Sequence, residues 1–206
     1  MFFSFDGIDG VGKTTQIERF VGWLRATGRE VVTCRDPGST PLGEKLRGVL
    51  LHSGPELLIG PTAEMLLYMA ARSQLVEECI RPALERGATV VSDRFLLANL
   101  VYQSHAGGLD RDAVGAVGTV ATHGLLPDTV FVLDLDPAMA TARRQGPDDR
   151  MEARGDSYRE RVRQGFIAEA RRDSRIVMID AAGSVDEVEA LVRDAAVSRH
   201  AELAAS

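Results

Sequence analysis

The stretch GIDGVGKTTQ, residues 7–16, follows the apolar run Phe2-Phe3-Ser4-Phe5 and leads into a helical pattern. No other feature restricts the fold as strongly. Gly7-x-x-x-x-Gly12-Lys13-Thr14 fits the phosphate-binding loop, or P-loop, in the setting that loop requires, between a strand and a helix. Its glycines let backbone N–H groups converge on phosphate oxygens, and a helix starting near Thr14 adds the positive end of its dipole. In such a loop Lys13 reaches the β- and γ-phosphates and the Thr14 hydroxyl holds Mg²⁺.

The rest of the chain agrees with that frame. Short apolar runs at 2–5, 30–34, 88–92, 129–133 and 175–179 read as strands. Helical spacing predicts helices from the loop to Gly28 and over 42–51, 62–86, 95–105, 111–123, 137–144, 157–172 and 185–197. Strands alternating with helices imply parallel pairing, and near-continuous apolar strands suit a sheet covered on both faces. The predicted fold is therefore α/β, a three-layer P-loop NTPase arrangement with a five-stranded parallel sheet. At 206 residues the chain fits a single domain, 1–206. The polar, turn-rich segment 145–156, QGPDDRMEARGD, reads either as a mobile flap or as a plain surface loop.

Composition removes several classes of function. A net charge of −6 argues against a nucleic-acid polymer as partner, while a small anion needs only a few local cations. No apolar run approaches the roughly 18 residues of a membrane span, so no membrane is expected. The two cysteines, Cys34 and Cys79, lack metal-ligand spacing and read as core residues in a reducing, cytoplasmic setting. A GTPase would carry an Asn-Lys-x-Asp guanine reader, whereas the only asparagine, Asn99, precedes Leu100.

Two charged pairs mark the far side of a site. Asp93 and Arg94 in VVSDRF, and Arg35 and Asp36 in CRDPGST, fall at strand ends, where ligands bind open α/β sheets. Arginine there clamps phosphate, and aspartate orients Mg²⁺. Either pair alone is compatible with an ordinary strand-end ion pair. Tyr68 and Arg72, at i and i+4, share a helix face, as do Asn99, Tyr102 and Gln103. On spacing alone, Tyr68 and Arg72 read as helix-surface residues.

The ordered set GIDGVGKTT, RDPGSTPLGEKLR, AEMLLYMAARSQL, SDRF, Tyr102-Gln103, LDLDP, DRME and MIDAAG resembles the thymidylate kinases across nearly the whole chain. These enzymes phosphorylate dTMP to dTDP. The resemblance implies ATP and Mg²⁺ as cofactors, the latter at Thr14 and Asp93, and a homodimer. It implies that Gly7, Ile8, Asp9, Gly10, Val11, Gly12, Lys13, Thr14 and Thr15 hold the donor nucleotide, with Arg143 stacking on adenine.

On the acceptor side it implies that Asp9 contacts the sugar 3′-hydroxyl and that Arg35 and Arg94 hold the dTMP phosphate, with Asp36 beside them. Tyr68 would stack on thymine, Arg72 would bond the base, and Asn99, Tyr102 and Gln103 would surround base and deoxyribose. Lys13, Asp93 and Arg94 would be catalytic. Gly10, where one subgroup has arginine, implies the bacterial subgroup with its catalytic arginine in a lid at about 145–156; Arg150 is the first candidate, with Arg144 and Arg154 behind it. Tyr68 replaces the usual Phe, Asp36 the usual Glu and Ser39 the usual Gly. The alternatives are a kinase for another nucleotide or deoxynucleoside, and a catalytically inactive ATP-binding regulator.

Overall fold

The computed structural model describes residues 1–54, 56–143 and 155–204. Its five strands are β1 (Phe2–Asp6), β2 (Val31–Arg35), β3 (Thr89–Asp93), β4 (Thr129–Asp134) and β5 (Ile176–Asp180). All pair in parallel, in the order β2-β3-β1-β4-β5. The central strand β1 is buried at every position, whereas the edge strands β2 and β5 alternate buried with more exposed residues. That contrast explains why the central strands read as unbroken apolar runs.

Side chains alternate across β1, so Phe3 and Phe5 face one side while Phe2, Ser4 and Asp6 face the other. Phe3 and Phe5 join Phe20 and Leu24 of α1 (Lys13–Ala26) and Val188 and Val192 of α9 (Val185–Arg199) in one apolar cluster. Phe2 belongs to a second cluster, with Met65 and Met69 of α3 (Pro61–Leu75) and Val114 of α6 (Arg111–Thr122). Cys34 is buried in this second cluster and Cys79 packs at its margin, partly exposed; both are free thiols. The remaining helices are α2 (Pro41–His52), α4 (Arg81–Glu85), α5 (Leu96–Asn99), α7 (Pro137–Arg143) and α8 (Asp156–Ala170).

Two long helices depart from the simple expectation. The helix predicted over 62–86 runs through α3 and α4, but a π-turn at Val76–Ile80 joins the two parts. Pro82 follows within the next turn, and its ring and missing N–H disturb the i→i−4 ladder behind it. The helix predicted over 95–105 begins as α5 and continues as a π-turn over Leu100–His105, where the Ser104 hydroxyl donates back to the Leu100 carbonyl. Among the described residues no helix is long and apolar enough to cross a membrane. Residues 144–154, most of the expected lid, lie outside the described part.

Candidate active site

The loop after β1 makes its turn where only glycine fits. Gly7 has φ 134°, and a Cβ there would lie 2.6 Å from the Leu133 carbonyl oxygen. Gly12, at φ 94°, precedes the first turn of α1. Buried Ile8 and Val11 anchor the loop from below, while Asp9, Gly10 and Gly12 line a cavity of about 470 Å³ at the carboxyl end of the sheet. Thr14 and Thr15 line it from the start of α1.

Lys13 points back into the loop. Its Nζ donates to the carbonyls of Gly7 at 3.1 Å and Ile8 at 2.9 Å, and reaches Asp9 Oδ1 at 3.3 Å. From the other side, Arg94 donates to the same Asp9 oxygen at 2.7 Å and to the Gly7 carbonyl at 3.0 Å, its guanidinium 5.1 Å over the Tyr102 ring. Burial pushes the Asp9 carboxyl up, but Arg94 and Lys13 outweigh it and hold Asp9 well below the usual carboxylate range. Burial, with the nearby Arg94 charge, pulls Lys13 down against the pull of Asp9 and Asp93. One carboxylate thus joins the P-loop lysine to the arginine that follows β3.

The end of the cavity away from the P-loop is built from three elements. Arg35, at the end of β2, is half exposed and paired with Glu44 at 2.8 Å, a contact weak enough in water to be exchanged for a phosphate. Arg72 is the opposite case. It is 1 % exposed, and it donates to Asp36 Oδ2 at 2.5 Å, the Met69 sulfur at 3.3 Å and the Phe95 carbonyl at 3.1 Å. The helix-surface reading of Arg72 is therefore corrected: it is a buried cation at the cavity wall, fixed by a carboxylate 36 positions away. Asp36 also lines the cavity but gives its carboxylate to Arg72; burial outweighs that arginine and leaves its carboxyl above the usual range. Tyr68, Asn99, Tyr102 and Gln103 complete this wall.

The expected adenine residue, Arg143, lines the same cavity and donates to the carbonyls of Ala181 and Ala182, at 2.9 and 3.2 Å. Its bonds place it against the loop after β5. Asp93 lines the cavity with one oxygen, Oδ1, lacking a hydrogen-bond partner. Arg150 and the other two lid candidates, Arg144 and Arg154, lie outside the described residues. All other site residues expected from the sequence reach the cavity except Gly7, Ile8 and Val11, which shape the loop beneath it.

Arg47 and Asp6 were not anticipated. Arg47 of α2 lines the cavity and donates to the Pro37 carbonyl at 2.9 Å. The motif RDPGSTPLGEKLR contained it, and an arginine in the second turn of a helix that starts beside the strand-end pair was the available signal. Asp6, the last residue of β1, is fully buried with both carboxylate oxygens unpartnered and Arg94 at 4.0 Å. Burial raises its carboxyl from 3.8 to about 7, against the lowering effect of Arg94 and Lys13 and helped by Asp93.

Because the folded-state value is the raised one, Asp6 favours the folded state fully below the unfolded value and loses that contribution as pH rises through the folded value. Asp6→Asn should therefore stabilise the ligand-free protein at pH 8 relative to wild type, by ~4 kcal/mol, with the difference closing near pH 4. Urea unfolding at the two pH values checks this; an equal difference at both would remove Asp6 as its source.

The comparisons with known proteins agree with this geometry. The family model described as Thymidylate kinase matches residues 5–192. A thymidylate kinase of Bifidobacterium longum is 45 % identical over 195 residues, 93 % of this chain and 95 % of the relative. One from Rhodopirellula baltica is 46 % identical over 186 residues, 90 % of this chain and 75 % of the relative. The crystal structure of thymidylate kinase from Ehrlichia chaffeensis superposes with a TM-score of 0.77 at 27 % identity, covering 95 % of this chain and 98 % of that one. A P-loop beside an arginine-lined cavity and a family match over nearly the whole length lead to one conclusion: the chain belongs to the thymidylate kinase family.

Proposed function

We propose that this chain transfers the γ-phosphoryl group of ATP to the phosphate of dTMP, giving dTDP, in the cytoplasm and as a homodimer. The observation that carries the reading is the meeting of Lys13 and Arg94 on Asp9 Oδ1, at 3.3 and 2.7 Å, which brings the P-loop lysine and the strand-end arginine to one carboxylate in one cavity. Phosphoryl transfer asks a protein mainly for positioning and charge neutralisation. Lys13 and the loop amides orient the triphosphate; Arg35 and Arg94 orient the monophosphate, whose oxygen is already anionic and attacks in line without a strong base.

The residues present suit Mg²⁺. Thr14, an exposed residue, carries a hydroxyl and Asp93 an oxygen with no hydrogen-bond partner, both hard donors, and one or two protein ligands beside phosphate oxygens are what this ion takes. When bound, Mg²⁺ neutralises charge on the β- and γ-phosphates. Exposed Val49 on α2, Leu66 on α3 and Val120 on α6 support a self-association surface.

The testing experiment is coupled ADP release with dTMP, dUMP, dCMP and dGMP. Turnover with dTMP well above dCMP and dGMP is expected. Equal use of the others would remove the thymidylate assignment, and ATP binding without dTMP-dependent turnover would point to a regulator.

The lid arginine has its own signature. Arg150→Ala should lower kcat by about 10²-fold or more with KM for either nucleotide changed only a few-fold, since a closing arginine acts mainly on the reacting complex. A defect confined to KM, or a larger kcat loss in Arg144→Ala or Arg154→Ala, would displace Arg150 from the role.

A further inference from the structure

Behind the acceptor wall lies a chain of buried side chains that ends on a free acceptor atom. Gln103 Nε2 donates to Glu64 Oε1 at 3.1 Å, and Asn99 Nδ2 donates to Gln103 Oε1 at 2.9 Å. Asn99 Oδ1 has no hydrogen-bond partner. All three residues are within 3 % of complete burial; Asn99 and Gln103 line the cavity, while Glu64 stands one step behind it. Glu64, Tyr68 and Arg72 follow one another at i, i+4 and i+8 along α3, so one helical stripe carries the start of this chain and the residues facing the base.

The direction of the chain is set at one end. A carboxylate accepts hydrogen bonds and cannot donate, so Gln103 must turn its amide nitrogen toward Glu64 and its oxygen toward Asn99. Asn99 must then spend its own nitrogen on Gln103. What remains on Asn99, which lines the cavity, is a buried oxygen, and an amide whose flip is settled by its neighbours presents one edge only.

We propose that Glu64, without touching substrate, selects the acceptor base by fixing the polarity of this relay, so that Asn99 presents an oxygen to a pyrimidine carrying an N3–H. The inference rests on the dTMP reading above and names what enforces it. Thymine and uracil bring a donor at N3, which the oxygen accepts. Cytosine brings a lone pair there and meets acceptor with acceptor in a buried site, where such mismatches strongly disfavour binding.

Glu64→Gln is the decisive variant. It keeps the shape, but the introduced amide can donate, so the relay can run in reverse: the new amide nitrogen donates to the Gln103 oxygen, the Gln103 nitrogen to the Asn99 oxygen, and the Asn99 nitrogen to the base. The dCMP kcat/KM should rise about tenfold, and that for dTMP should fall several-fold through KM at nearly unchanged kcat. The gain is bounded because Arg72 still faces the cytosine amino group. Glu64→Asp, which keeps the carboxylate, should hold the dTMP-to-dCMP ratio within about threefold of wild type.

Loss of packing alone would lower both substrates together and could not create dCMP activity. A parallel fall in both, or an unchanged ratio in Glu64→Gln, overturns the inference. Should Glu64→Gln fail to fold, Gln103→Leu cuts the relay in its middle and releases Asn99; dCMP use must again rise. The wild-type panel is read first: if wild type used dCMP as well as dTMP, the reading of the substrate would fall before the relay was tested.

Discussion

Replacing Lys13 by Ala is expected to lower kcat/KM by about 10³-fold or more while leaving the fold in place. The ammonium is the loop's own cation, 8 % exposed, and it holds two loop carbonyls and Asp9. Its partners have alternatives once it is gone, because Arg94 still pairs with Asp9 and donates to the Gly7 carbonyl. Burial already works against this charge, so its removal also relieves a desolvation penalty. The transition state has no such substitute: charge on the transferring group loses a preorganised cation, worth several kcal/mol in a site sheltered from water. Steady-state rates together with a thermal midpoint within a few degrees of wild type check both halves. Activity within tenfold of wild type would remove the loop from the mechanism.

Arg72→Ala should fail differently, in stability before catalysis. The substitution strands the Asp36 carboxylate, whose second oxygen is already unpartnered, in an interior site whose burial pushes it toward the neutral form. It also leaves the Phe95 carbonyl short of its donor and removes a guanidinium packed 5.4 Å over the Phe95 ring. Breaking one side of a buried ion pair costs about 3–5 kcal/mol, on the order of 10 °C in midpoint for a domain of this size. Pairing Arg72→Met with Asp36→Asn should restore much of that, since no charge is then left alone. If Arg72→Ala lost under about 1 kcal/mol, water would be satisfying Asp36 and the pair would not be the fixed wall described above. In protein that remains folded, dTMP use should fall more than dCMP use, the outcome expected of an arginine that donates to the O4 oxygen of thymine and opposes the cytosine amino group.

Most of the fold could be read from local pattern. Each strand lies within one residue of its expected limits, because buried parallel strands concentrate apolar residues and stop at polar ones, as β1 does at Asp6 before Gly7. The π-turns could not be read. Whether a helix widens by one residue at 76–80 or 100–105 depends on how its flanks seat against the rest of the protein, which a periodic pattern does not record. The P-loop was legible because its chemistry lies within eight consecutive residues. Arg72 was not legible as a buried group, since its partner Asp36 comes from another element. Asp6 and Glu64 were missed for the same reason: what makes them matter is how completely distant residues enclose them.

The carboxylate of Asp9, held by Lys13 on one side and Arg94 on the other, gives the ligand-free cleft a resident counter-ion. Being part of the chain, it competes with any arriving anion at the high effective concentration of a tethered group. A free inorganic phosphate, with few other contacts, meets that competition without compensation. A larger anion that gains contacts elsewhere in the cavity can draw a cation away. The tether thus biases the cleft against the small anions that surround every phosphate-handling protein. It also makes the two halves of the site interdependent, because whichever cation leaves first shifts the whole charge of Asp9 onto the other.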